Sequence, residues 1–172
     1  MTQISSKGIQ DSLVQEAIFA ASAAVHQVLS GAWDENSIEP GGLISTSRVI
    51  NLMNNDCDEK TKRRPGHINQ TRHRRCLDDN TTTALNTAGG TTDDLNDEAK
   101  AISSSIYSSF TSAADGYKQD FNSTITVENL AAVAGAKLIT VNISLSSGAK
   151  PVTVLRAYSY NIGEISYHRQ SY

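Results

Sequence analysis

Aromatic rings, prolines and cysteines are all scarce in this chain. Phe, Tyr and Trp make up 6% of its 172 residues, Pro occurs 3 times and Cys twice. With so few rings, a core must be packed mainly by Ala, Val, Ile and Leu. Two cysteines exclude a scaffold held by several disulfides. Long apolar runs are missing too. The longest, Ala17 to Val25, is broken by Ser22, well short of the roughly 20 residues a bilayer requires. No signal peptide is visible, so the expectation is a soluble chain, in a virion or an extracellular assembly. Also absent are Gly-x-Ser-x-Gly, His-Glu-x-x-His, a Walker loop and the dinucleotide-binding glycine fingerprint. The sequence therefore predicts neither an enzyme nor a cofactor.

Small polar residues are abundant instead. Ser and Thr number 36 and Asn 12, which suits solvated or interface surfaces. The length fits one domain spanning 1–172. Its net charge of −3 conceals a strong asymmetry. Between Lys60 and Arg75 lie 7 of the 15 Lys and Arg residues and no acid, which leaves 8 basic against 18 acidic residues elsewhere. Asp56, Asp58, Glu59, Asp78 and Asp79 flank the segment. Such a dipole favours an anionic partner or a head-to-tail contact between copies.

Cys57 and Cys76 bracket this basic segment. Three states fit them. A disulfide would close the loop and hold like charges together. Free thiols are the second reading. The third is a zinc site from Cys57, His67, His73 and Cys76, the right ligand set at a spacing matching no common finger. Lys60, Lys62, Arg63, Arg64, Arg72, Arg74 and Arg75 form a candidate nucleic-acid or anion contact. No aromatic residue is interleaved among them, so such binding would reach phosphates without reading bases. Lys62-Arg63-Arg64 and Arg72-His73-Arg74-Arg75 also resemble dibasic processing sites.

From Ile9 to Gly31 the spacing predicts a helix, with Leu13, Ala17, Ala21, Ala24 and Val28 on one face. Its alanines permit close approach by another element, and Ala20 and Ala24 are candidate interface positions. Pro40-Gly41-Gly42 marks a turn, and Leu43 to Met53 reads as a short helix or a strand, the helix preferred. Residues 54–92 form an irregular span. Leu95, Ala99, Ile102, Ile106, Phe110 and Ala113 make a second helical stripe, with acidic residues near its start favouring the N-terminal pole. The C-terminal fifty residues switch to period two. Ile139, Val141, Ile143 and Leu145 alternate with polar residues, and Val152, Val154, Tyr158 and Tyr160 share a face. Glu164 to Tyr172 reads as a third short strand, and Phe121 to Val127 is the candidate for a fourth. Tyr158 and Tyr160 are expected under a helix, and Tyr172 at an interface.

The predicted fold is α+β: two main amphipathic helices on a C-terminal antiparallel β-meander, with the basic loop between the helices. The function expected is a non-enzymatic structural subunit that self-assembles into a homopolymer, a virion coat or tail protein or a filament. Its partners are copies of itself, with nucleic acid or another polyanion as the alternative, and no membrane insertion. His26 and His168 have no acid partner in sequence and read as packing or surface residues.

Overall fold

The computed structural model describes residues 2–38, 48–50, 52, 57, 63–64, 74–76, 82–85, 94–97, 104–106, 120–146, 148 and 150–163. A helix α1, Thr2–Leu29, leads into a 3-10 turn at Glu35–Ser37. Among the described residues six strands follow in chain order: β1 Arg63–Arg64, β2 Arg74–Arg75, β3 Ser104–Ser105, β4 Phe121–Asn129, β5 Ala136–Leu145 and β6 Pro151–Tyr160. β1 and β2 pair with each other alone. The other four form an antiparallel sheet in the order β3-β4-β5-β6, so strands consecutive in the chain are neighbours in the sheet.

Alternation builds the sheet and gives it two unlike faces. Phe121, Ser123, Ile125 and Val127 of β4 point the same way as Lys137, Ile139, Val141 and Ile143 of β5. Leu155 and Ala157 of β6 continue that face opposite Val141 and Ile139. Ala17, Ala21 and Val28 of α1 lie against it, joined by Trp33, Ile50 and Leu95. Alanine at the helix contacts has a physical reason: with no side chain beyond Cβ, the helix axis can sit close to the sheet. The protein is thus an α+β fold, one long helix on an antiparallel sheet.

Two expectations about elements change. Across 92–116 a second helix is predicted, yet the described residues there form a turn at 94–97 and the short strand β3. Ser104 and Ser105 instead pair with Ser123 and Asn122, satisfying the backbone of the β4 edge. In 43–53, the described residues 48–50 hold an isolated bridge from Val49 to Cys76, so this part is not the preferred helix. The expected strand from Glu164 to Tyr172 lies outside the described residues.

Tyr158 and Tyr160 correct a third expectation. They are 55% and 51% exposed, on the face turned away from α1. Pairing of Val141 with Leu155 and Ile139 with Ala157 fixes the parity of β6. The even-numbered Val154, Arg156, Tyr158 and Tyr160 must then point outward.

Candidate functional site

Three features stand apart from ordinary packing. The first is the cysteine-closed loop. Cys57 and Cys76 form a disulfide with Cα atoms 6.2 Å apart, and both are buried with Val49 in a small cluster of their own. Inside the loop, Arg63 is paired with Arg75 and Arg64 with Arg74. Four of the seven predicted anion-contact residues therefore occupy two adjacent rungs of one antiparallel ladder. Lys60, Lys62 and Arg72 lie outside the described residues, as do His67 and His73 of the zinc reading.

Segment 48–50 anchors this loop to the sheet. Val49 bridges Cys76, while Asn161 at the end of β6 clasps Ile50 from both sides. Its Oδ1 accepts from the Ile50 N–H at 3.0 Å, and its Nδ2 donates to the Ile50 carbonyl at 2.6 Å. Gly163 completes the clasp. Its φ is +57°, and a Cβ there would come within 2.8 Å of the Val49 nitrogen and 2.9 Å of the Arg48 carbonyl carbon.

The second feature is the set of large apolar residues that α1 leaves exposed. Ile9, Val14, Ile18 and Phe19 are 47%, 42%, 42% and 74% exposed. From Lys7 to Ser12 every residue is exposed, and among the residues whose burial is described Ala17 is the first that is buried. The stretch Lys7 to Ser12 accordingly lies clear of the sheet. Ala20 and Ala24, the predicted interface residues, are half-buried against the core. Tyr172 lies outside the described residues.

The third was not foreseen from sequence. Lys137 is the innermost polar residue of the sheet, 1% exposed, on the same face as Ile139 and Val141. Its ammonium donates to the Trp33 carbonyl and, at 2.6 Å, to Asn96 Oδ1. It lies 3.7 Å from Asp34 Oδ2 and 4.0 Å from the centre of the Trp33 ring. Asn96 in turn donates through Nδ2 to Asp34 Oδ2 at 2.7 Å and to Thr83 Oγ1 at 2.5 Å. Asp34 is itself fully buried. Its carboxylate accepts from the Asn36 N–H at 3.0 Å and from the Thr83 N–H at 3.1–3.2 Å.

Local geometry explains how these groups meet. After α1, residue Asp34 is extended (φ −161°, ψ 147°) and caps the 3-10 turn at Glu35–Ser37. The Ser37 hydroxyl donates to the Asp34 carbonyl at 2.5 Å. A parallel bridge between Ala32 and Asp94, with Leu95 N–H donating to Ala32 carbonyl at 2.9 Å, brings Asn96 alongside. The Asp97 N–H donates to Asp94 Oδ1 at 2.9 Å and shapes the 94–97 turn.

Burial dominates the electrostatics. It pulls the Lys137 amine down to about 8, against the opposing pull of Asp34 and Asp94. Burial likewise raises the Asp94 carboxyl, with the nearby Asp97 charge adding to the rise. The Trp33 Nε1 has no hydrogen-bond partner among the described residues. Among the described residues no three His, Cys, Asp or Glu side chains converge as a metal site. None of their helices is long and apolar enough to cross a membrane. No protein-family model, curated protein or solved structure matches the chain.

Proposed function

We propose that this chain is a non-enzymatic structural subunit that polymerises with copies of itself, as a filament or as a virion coat or tail protein. The supporting observation is α1. At 28 residues the helix is about 42 Å long at 1.5 Å per residue. One side packs on the sheet through Ala17, Ala21 and Val28, while Ile9, Ile18 and Phe19 face solvent. A helix apolar on both sides is ordinarily covered on both sides. The partner that fits is a second copy, because charge favours it as well. A segment rich in Lys and Arg sits on an otherwise acidic chain, which suits head-to-tail contact between identical subunits.

Light scattering after size exclusion, repeated at rising concentration, tests this reading beside the variant Phe19→Asp. Expected are large species from the parent chain and a folded monomer from the variant. A monodisperse monomer at every concentration, or assembly untouched by Phe19→Asp, overturns it.

One observation favours an alternative, a protein that binds the nucleic-acid phosphate backbone. The rungs Arg63–Arg75 and Arg64–Arg74 set like charges across a ladder. Such pairs are destabilising unless anions neutralise them. Under this reading, replacing the four arginines by Gln abolishes retention on a polyanion and flattens its salt dependence.

A further inference from the structure

The polar cluster around Lys137 holds the parts of an intramolecular acyl transfer, and nothing in the assembly reading uses them. We infer that Lys137 and Asn96 join covalently, through an amide between Nζ and Cγ, with Asp34 relaying the protons and ammonia leaving. The inference goes beyond the assembly reading and stands whether or not the chain polymerises.

Geometry carries it. An amine, a carboxamide and a carboxylate must meet away from water, and here they do. Nζ is 2.6 Å from Asn96 Oδ1. Given a carbonyl bond of about 1.23 Å, Cγ lies within about 3.8 Å of the amine, next to the roughly 3–3.5 Å of a near-attack arrangement. The carboxamide orientation follows from its partners. Lys137 can only donate and the Asp34 carboxylate can only accept, so Oδ1 faces the amine and Nδ2 faces the acid. Asp34 Oδ2 is 2.7 Å from the leaving nitrogen and 3.7 Å from the attacking one. The oxygen is hydrogen-bonded to the leaving nitrogen and ion-paired with the attacking one, so an approach of about 0.5 Å lets it serve both ends of the proton transfer.

Atoms balance without an external reagent. The Cγ–Nζ bond forms and the Cγ–Nδ2 bond breaks. Of the three protons on the ammonium, the product amide retains one. The other two pass by way of Asp34 to Nδ2, which departs as ammonium and leaves the carboxylate ionised as it began. Nothing is oxidised or reduced, and no water is consumed. Supporting groups hold the pieces still. Thr83 anchors both Asn96 and Asp34, and the Trp33 carbonyl and ring confine the amine. Burial also holds the amine near pH 8, so a sizeable fraction is the neutral nucleophile in neutral to mildly alkaline buffer.

Mass spectrometry of the intact, purified chain, incubated folded at pH 8, reads the outcome directly. The expected mass is lower by about 17 Da, one ammonia, than that of the disulfide-closed sequence. Protease digestion should then release one branched peptide containing both Asn96 and Lys137. Lys137→Met and Asp34→Asn should each keep the unshifted mass, with circular dichroism to check that they fold. An unshifted parent mass overturns the inference, and so does a shift mapping to other residues. That reading comes from the parent protein alone and survives failure of either variant to fold.

Discussion

Replacing Asn161 by Asp exchanges one atom, and the structure says how much that atom should matter. Asn161 is 6% exposed, and its Nδ2 donates to the Ile50 carbonyl at 2.6 Å. In Asn161→Asp this donor becomes an oxygen facing an oxygen. Leaving a buried acceptor without its donor costs about 1–3 kcal/mol. Burying an ionised carboxylate against a carbonyl adds to that, so about 3 kcal/mol is expected at pH 7.5. The other oxygen still accepts from the Ile50 N–H, so that amide keeps its partner. Protonation would restore a donor. The new carboxyl binds a proton more tightly in the folded state than in the unfolded state, because burial disfavours its charge. Its deficit therefore shrinks as the pH falls through that raised pKa. Urea unfolding of both proteins at pH 7.5 and pH 5 measures this, with hydrogen exchange at Ile50 in parallel. Asn161→Ala serves as a control that frees both backbone groups and should make the Ile50 amide exchange faster at either pH. A loss below about 1 kcal/mol at pH 7.5, or a deficit that grows on acidification, would refute the clasp.

Gly163→Ala should destabilise by about 2–3 kcal/mol, from left-handed strain and a Cβ driven against the backbone of Arg48 and Val49; the midpoint of urea unfolding reads it. Removing the disulfide with Cys57→Ala and Cys76→Ala together should cost about 3 kcal/mol by loop closure over a separation of 19 residues, seen as a lower thermal midpoint. The Lys137 amine supplies a pH signature in Asn96→Ala, where no amide can form. A lysine lowered to about 8 releases its proton in the folded state before the unfolded state does, so stability should rise with pH above 8. Between pH 8 and pH 9.5 that rise is about 2 kcal/mol, and adding Lys137→Met should remove it.

Much of this architecture is legible from pattern alone. The helix from Ile9 shows in its 3.6-residue spacing, and β5 in the alternation of Ile139, Val141 and Ile143. Cysteine spacing marks the closed loop, although the choice among disulfide, thiols and zinc awaited the fold. Elsewhere pattern misleads for identifiable reasons. The stripe from Leu95 to Ala113 has helical period, but Asp94 bridges Ala32 and Asn96 bonds Asp34, each 62 residues away in the chain, and these contacts help hold the turn. Periodicity carries no information about such contacts. The parity of Tyr158 and Tyr160 depends on the register of β6 against β5. A slip of one position would reverse it, and spacing within one strand cannot fix it. Asn and Gly are residue types that turns favour, which says nothing of the hydrogen bonds from Asn161 to Ile50 across 111 residues of chain.

Lys137 was the most readable of the missed signals. It stands two positions before Ile139, so the alternation that buries Ile139, Val141 and Ile143 buries Lys137 as well. A lysine on an inward-facing register position is costly unless something compensates it, and the same reasoning requires an acid nearby. Asp34, next to the chain's single Trp, supplies the charge, and Asn96 and the Trp33 carbonyl supply acceptors. Even so, the depressed amine indicates that compensation is incomplete, since burial outweighs the two carboxylates. An ion pair of this kind is a poor stabiliser compared with apolar packing. Conversion to the Asn96 amide removes the ammonium, though not the Asp34 carboxylate, from the interior and ties the 94–97 turn to β5. It leaves Asp34 with the Asn36 and Thr83 N–H donors that it already has. Exchanging one amide for another is close to neutral in bond energy, so the release of ammonia to bulk solvent is what carries the reaction forward against the cost of leaving Asp34 without its cation.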